Sequence, residues 1–195
     1  MIRSIAAACG LGHHLRMRYR RTWQAGGTFF FTVNLADRSS RMLVEQVALL
    51  RESVRRVKAR HPFDILAWVV LPDHLHALWT LPADDNDNAI RWALIKAGFS
   101  RVTPKGEPVR VNRMRRGERG VWQPRFWEHL ITDEADLQSH VDYIHINPVK
   151  HGHAARAADW PHSSIHRYIR AGWLAPDWAA EPSDIIGSTG ERHRP

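Results

Sequence analysis

Apolar and polar positions change period several times along the chain, and each change marks an element. Thr28-Phe29-Phe30-Phe31-Thr32-Val33-Asn34-Leu35 is aromatic and β-branched and follows Gly26-Gly27, which predicts a first strand. From Ser40 to Arg60, Met42, Val44, Val47, Leu49, Leu50, Val54 and Val57 recur at helical spacing, which predicts a first helix. Ile65 to Leu71 is an unbroken apolar run and reads as a buried strand. Pro72-Asp73 turns the chain, and His74 to Leu81 alternates, so the two runs form a hairpin. Asp84-Asp85-Asn86-Asp87-Asn88 is polar and ends in helix-capping residues, with a helix expected from about Ala89 to Arg101. Trp122 to Ile131 reads as a fourth strand. Asp133-Glu134-Ala135-Asp136 opens a third helix with negative charge where the helix dipole favours it. A last amphipathic helix is expected from about Ser163 to Ala171.

The hairpin makes the sheet at least partly antiparallel, and the first six elements match the split βαβ pattern. The expected fold is therefore α+β: a ferredoxin-like βαββαβ antiparallel sheet with helices on one face, plus an extra C-terminal helix. A chain of 195 residues suits one domain, here residues 21–175, with a basic N-terminal extension (1–20) and a flexible C-terminal tail (176–195).

Charge narrows the class of partner. Lys and Arg number 28 against 20 Asp and Glu, a formal net charge of +8. A domain this basic meets polyanions, nucleic acid before an anionic membrane surface. No run of 18 apolar residues is present, so no membrane helix is expected. The single cysteine, Cys9, leaves no intramolecular disulfide and no Cys-based zinc site. The apolar stretch Ile5-Ala6-Ala7-Ala8 is too short for a signal-peptide core, so a cytoplasmic, nucleoid-associated location is expected.

Residues 1–36 hold no Asp or Glu, while Arg16, Arg18, Arg20 and Arg21 cluster there. Such an arm is either solvated or laid along phosphates. Lys105, Arg110, Arg113, Arg115 and Arg116 fall in a loop punctuated by Gly and Pro and are the expected backbone contacts. Five such contacts on a single strand give a salt slope of about −3.5. Among nine tryptophans, Trp68, Trp79 and Trp127 read as core or sheet residues. Trp23, Trp122 and Trp173 lie nearer loops and are candidates for base stacking.

Two features carry chemistry. His74 and His76 sit two apart on a strand, so both imidazoles share a face. They either chelate a divalent cation or serve as ordinary hydrogen-bonded histidines. On the third helix, Tyr143 and Asn147 are i and i+4, one turn apart on one face, with Val141 and Ile144 turned elsewhere to anchor the helix on the sheet. Tyrosine on an amphipathic helix is commonly a boundary core residue. The amide oxygen one turn away makes the pair a candidate nucleophile and metal ligand, although Pro148 biases Asn147 out of helical geometry.

Pro72-Asp73-His74-Leu75-His76, Trp122-Gln123-Pro124-Arg125-Phe126-Trp127-Glu128-His129 and Tyr143-Ile144-His145-Ile146-Asn147-Pro148-Val149-Lys150-His151-Gly152 together resemble the single-tyrosine HUH transposases. Within them the chain is most similar to the REP-associated tyrosine transposases, and Asp159-Trp160-Pro161-His162-Ser163-Ser164 with Tyr168 resembles that branch too. The resemblance implies an HUH endonuclease-type fold, with His74 and His76 as metal ligands around the bulky Leu75. It makes Asn147 the third ligand, where relatives often carry Gln, and Tyr143 the nucleophile. Asp73 and His129 would support these groups from behind. It further implies Mg²⁺ or Mn²⁺, a single-stranded DNA hairpin as substrate, a 5′-phosphotyrosine intermediate, no nucleotide cofactor, and a monomer rather than a dimer.

Two other readings remain open at this stage. One is a non-catalytic binder of structured single-stranded nucleic acid, since ferredoxin-like sheets commonly bind RNA or DNA. The other is a hydrolytic metal site in which water, not tyrosine, is the nucleophile.

Overall fold

Four strands form one antiparallel sheet in the order β2-β3-β1-β4: β1 (Thr28–Asn34), β2 (Asp64–Val70), β3 (His74–Thr80) and β4 (Trp127–Leu130). The structure, a computed structural model, describes residues 25–103 and 119–180. The arm bearing Arg18, Arg20, Arg21 and Trp23 lies outside the described residues, as does the loop bearing Lys105, Arg110, Arg113, Arg115 and Arg116.

Between β1 and β2 run α1 (Met42–Glu45) and α2 (Val47–Arg60), two pieces of the single helix that the periodicity predicts. Gln46, at φ −112° and ψ 28°, separates them. Helix α3 (Asn88–Val102) joins β3 to the β4 side, with the Asp87 carboxylate accepting from the Ile90 N–H as its cap. This is the βαββαβ arrangement expected from the element order. β4 is shorter than expected, because Trp122 makes only an isolated bridge to Leu35 before the strand proper begins.

Adjacent residues of a strand face opposite ways, and in this sheet both faces are covered. Phe29, Phe31 and Val33 join Leu43, Leu50, Val57, Trp92, Ile95 and Phe99, so α1, α2 and α3 share one face as expected. Phe30, Ala67, Val69 and Leu78 point the other way, into α4 (Glu134–Lys150) through Val141, Tyr143 and Ile144. The sheet thus separates two helical layers. An apolar second face demands such a cover. The alternation of β3 therefore does not mark a wet face: His74 through Trp79 are all buried.

The C-terminal motif closes the β2 edge, which would otherwise offer unpaired backbone groups. Val70 N–H donates to the His162 carbonyl (2.9 Å) and Ser164 N–H to the Trp68 carbonyl (2.8 Å). Trp160 Nε1 donates to the Val70 carbonyl (2.8 Å), and the Tyr168 hydroxyl of α5 (Ile165–Arg170) to the Leu66 carbonyl (2.9 Å). Beyond it, Trp178 lies edge-on to His145 at 6.0 Å, inside the stretch expected to be tail.

Trp79 anchors the α2/α3 side. It is fully buried, its ring centroid is 4.5 Å from Phe31 and Phe63 and 4.6 Å from Trp92, and Nε1 donates to Asn88 Oδ1. Trp79→Ala is expected to lower unfolding free energy by about 3–5 kcal/mol, measured by urea denaturation.

Candidate active site

The site is built where β3 meets α4. His74 and His76 project from β3 toward the α4 layer and are 1% and 0% exposed. Their rings are 5.1 Å apart at 85°. His74 Nδ1 pairs with Asp73 Oδ1 (2.7 Å), and the other Asp73 oxygen takes Arg38 Nε (3.0 Å). His76 Nδ1 pairs with the Thr32 hydroxyl (2.9 Å), the residue directly opposite it on β1. With both Nδ1 atoms engaged, Nε2 is the nitrogen that each ring offers as a ligand. Burial pushes the Asp73 carboxyl up, but the His74 hydrogen bond and the charges of His74 and Arg38 outweigh it and hold the group below its usual range. Asp73 therefore remains an acceptor that fixes the His74 ring.

Helix α4 supplies the opposing side. It opens with the Asp133 carboxylate accepting from the Asp136 N–H and runs unbroken through Pro148 to Lys150, where the His151 N–H donates to the Asn147 carbonyl. Pro148 thus neither ends nor displaces the helix at Asn147. Tyr143, Asn147 and His151 fall at i, i+4 and i+8, one stripe of the helix surface. The Tyr143 ring is 5.2 Å from His76, and the His151 ring is 5.1 Å from His74. Asn147, fully buried, falls between those two contacts on the same stripe of the helix. Two imidazole nitrogens and an amide oxygen are a donor set that fits a divalent cation.

Tyr143 departs from expectation in its burial. The helix was expected to anchor through Val141 and Ile144 with Tyr143 turned elsewhere. All three instead belong to one cluster, and Tyr143 is 1% exposed, edge-on to Phe30 at 5.8 Å. The cause is that α4 lies over two histidines and an aromatic residue at once, so a wide arc of its surface is covered. The exposed Lys150, two turns on, reaches back over the phenol: Nζ donates to the Tyr143 hydroxyl oxygen (3.1 Å) and sits 4.6 Å from the ring centroid.

Two expected site residues lie elsewhere. Trp122 is only 7% exposed, edge-on to Phe99 at 5.4 Å with Lys96 Nζ 6.0 Å above its ring. Its bridge to Leu35 tucks the indole under α3, which removes it as a stacking surface. Trp173, 68% exposed, keeps that possibility. His129 does not stand behind the His74–His76 pair. Its Nε2 pairs with Asp136 (2.9 Å), its ring stacks on His140 at 4.7 Å, and Phe30 separates His140 from His76.

His129, Asp136 and His140 form a second cluster, with donor atoms within 4.8 Å of one another, that could hold a metal ion. Its two rings lie only 17° from parallel, so their in-plane lone pairs do not converge on one point without rotation. Asp136 is instead a hub, accepting from the Thr132 N–H as well as facing both imidazoles. Burial and the neighbouring His129 push His140 down, against the opposing pull of Asp136.

His145, on the far side of α4, pairs through Nε2 with the Ser164 hydroxyl (3.0 Å), which itself accepts the Trp68 N–H. Burial, with a smaller effect of Arg167, pushes His145 from 6.5 down to about 3. A histidine held neutral in the fold but free to protonate when unfolded stabilises fully above pH 6.5, and that stability is lost as pH falls toward 3. His140 acts with the same sign. Between pH 6.5 and 5 the His145 contribution is about 1–2 kcal/mol. Urea midpoints measured across that range should fall, and fall less steeply in His145→Asn.

Similarity to known proteins decides the family. Over 174 residues the chain is 46% identical to the REP-associated tyrosine transposase of Escherichia coli K12, covering 89% of this chain and 96% of that protein. The chain belongs to the REP-associated tyrosine transposases. A putative member from Haemophilus influenzae is 43% identical over 165 residues, covering 84% of this chain and 94% of its own. A solved REP-associated tyrosine transposase bound to a REP hairpin superposes with a TM-score of 0.78 at 45% identity, over 91% of this chain and 98% of that one. No family model matches the chain. As a transposase it is an enzyme of DNA cleavage and rejoining, and its family implies a divalent metal. No helix among the described residues is long and apolar enough to cross a membrane.

Sequence reasoning missed Thr32, Arg38, Lys150 and His151. Thr32 left a signal, a polar residue inside an otherwise apolar strand. Lys150 left another, since i+7 from Tyr143 returns to the same helix face.

Proposed function

We propose that this transposase cleaves and rejoins single-stranded DNA bearing a hairpin, with Tyr143 as the nucleophile and a 5′-phosphotyrosine intermediate. The observation that supports the reading is the stripe Tyr143–Asn147–His151, whose two rings lie against His76 and His74, so that a phenol, an amide and two imidazoles share one region. The hairpin substrate is supported by the solved relative, which holds a REP hairpin, and by the net charge of +8. His74, His76 and Asn147 would hold Mg²⁺ or Mn²⁺. When bound, the ion polarises the non-bridging oxygens of the scissile phosphodiester.

The protein's own groups do the rest. Asp73 and Thr32 fix the two imidazoles. Packing on Phe30 and His76 fixes the Tyr143 ring, so its oxygen is aimed before DNA arrives. Attack forms the Oη–P bond as the P–O3′ bond breaks, leaving a free 3′-OH. The phosphoester energy stays in the phosphotyrosine, so rejoining needs no nucleotide cofactor. Asp73 acts behind His74, and the arm and loop arginines and lysines (Arg18, Arg20, Arg21, Lys105, Arg110, Arg113, Arg115, Arg116) would follow the phosphates. We place the protein with the nucleoid, acting as a monomer.

The test uses hairpin DNA from repeats flanking the gene, labelled at its 3′ end, with Mn²⁺ or Mg²⁺ and with EDTA. A 5′-phosphotyrosine carries that label onto the protein, so a metal-dependent labelled adduct is expected on denaturing gels. Binding without cleavage would favour a non-catalytic binder. Cleavage without an adduct would make water the nucleophile.

A further inference from the structure

Among the described residues, a cation on the same helix touches the Tyr143 hydroxyl. Lys150 Nζ is 3.1 Å from Tyr143 Oη and 4.6 Å from the ring centroid, so it holds both the oxygen and the π-face. Tyr143 itself is 1% exposed, whereas Lys150 is exposed. A phosphate at the Tyr143 oxygen therefore lies close to this charge. An ammonium has three donors, enough to keep the phenol oxygen and still meet a phosphate.

We propose that Lys150 is a catalytic residue of both strand cleavage and strand rejoining, acting on the Tyr143 oxygen; this rests on the reading of Tyr143 as nucleophile. During cleavage the Oη–P bond forms and the P–O3′ bond breaks. The phenolic proton passes to water, and the departing 3′ oxygen takes one up. Lys150 exchanges no proton. Its N–H remains on Oη, offsetting negative charge at the attacking oxygen and aiming it at phosphorus. In rejoining, the same oxygen is the leaving group, and the same N–H stabilises it. One contact serves both directions because they share a transition state.

A purely structural role also has a physical basis, since lysine in the last turn of a helix complements the dipole. The two roles separate experimentally. Lys150→Met keeps most of the length of the side chain and removes the charge at an exposed position, so the fold should survive. At saturating hairpin DNA, adduct formation by K150M should fall about 10²–10³-fold. Hairpin Kd and thermal midpoint should stay close to those of the parent. Rejoining of a preformed adduct by an added 3′-OH strand should fall by a similar factor, and Lys150→Arg should recover at least about tenfold of each rate.

A substrate with sulfur in place of the 3′ bridging oxygen adds a further readout. Sulfur leaves without help, so it should not rescue K150M if Lys150 serves the attacking oxygen. Parental rates in K150M, a loss confined to Kd, rescue by the sulfur substrate, or an Arg variant no better than Met would each overturn the proposal. Tyr143→Phe run in parallel tells the two claims apart. An inert Y143F beside an unimpaired K150M removes Lys150 alone, whereas an adduct that persists in Y143F removes the nucleophile and this proposal with it.

Discussion

Tyr143→Phe is expected to abolish the covalent protein–DNA adduct, with cleavage reduced by at least about 10⁴-fold, the scale seen when an essential nucleophile is removed. The substitution deletes one oxygen and leaves the ring. The ring that lies against Phe30 (5.8 Å) and His76 (5.2 Å) is kept, so its packing should persist. Hairpin binding should stay within about threefold, because one hydroxyl contributes little to affinity when phosphates supply most of it. Tyr168 provides the control. Its hydroxyl donates to the Leu66 carbonyl and its ring packs edge-on to His145 at 4.6 Å, so Tyr168→Phe should cost stability and leave the adduct intact. An adduct surviving in Y143F, or lost in Y168F at a temperature where that variant is folded, would refute the assignment.

The second large effect is on the metal. His76→Ala should eliminate metal-dependent cleavage and weaken Mn²⁺ binding to the DNA-free protein beyond detection by calorimetry. It also empties space beside Phe30, whose ring stacks on His76 at 5.4 Å, and deprives the buried Thr32 hydroxyl of its imidazole. A stability loss of about 2–4 kcal/mol should accompany it. Asp73→Asn acts one bond further away, through the orientation of His74, and should weaken Mn²⁺ binding by about 10–100-fold. Asp136→Asn discriminates between the two clusters. If the ion sat at His129–Asp136–His140, Asp136→Asn would remove metal dependence while His76→Ala kept it.

Much of the fold was legible because each element carries its own period. The apolar stretch Phe29–Val33, the hairpin around Pro72-Asp73 and the polar cap before α3 are local signals, and local signals survive in a linear reading. The misreadings share a cause. Trp122 was taken for a surface residue because basic and loop residues flank it, yet a single bridge to Leu35 tucks it under α3. His129 was placed behind the histidine pair because its motif accompanies theirs, but strand geometry turns it toward Asp136. Tyr143 was assigned to a face apart from Val141 and Ile144, and the width of the covered surface erased that distinction.

The sequence by itself determined the order of elements, the antiparallel hairpin, the family and the identity of the chemical groups: two histidines on one strand face, and a tyrosine and an amide one helical turn apart. The elements and the shared faces follow from periods of two and 3.6 residues, which depend only on neighbours along the chain, and the family from the resemblance of the motifs. Tertiary structure decided which groups meet. It laid α4 across the second face of the sheet, bringing residues some 70 positions apart into ring contact, Tyr143 with His76 and His151 with His74. It also chose the partners that fix the imidazoles, Thr32 through β1–β3 register and Asp73 through the turn, and returned Lys150 to the hydroxyl. Such pairings are set by helix-on-sheet packing and strand register, which sum apolar contacts over the whole domain, so a local mark such as the polar Thr32 does not name its partner.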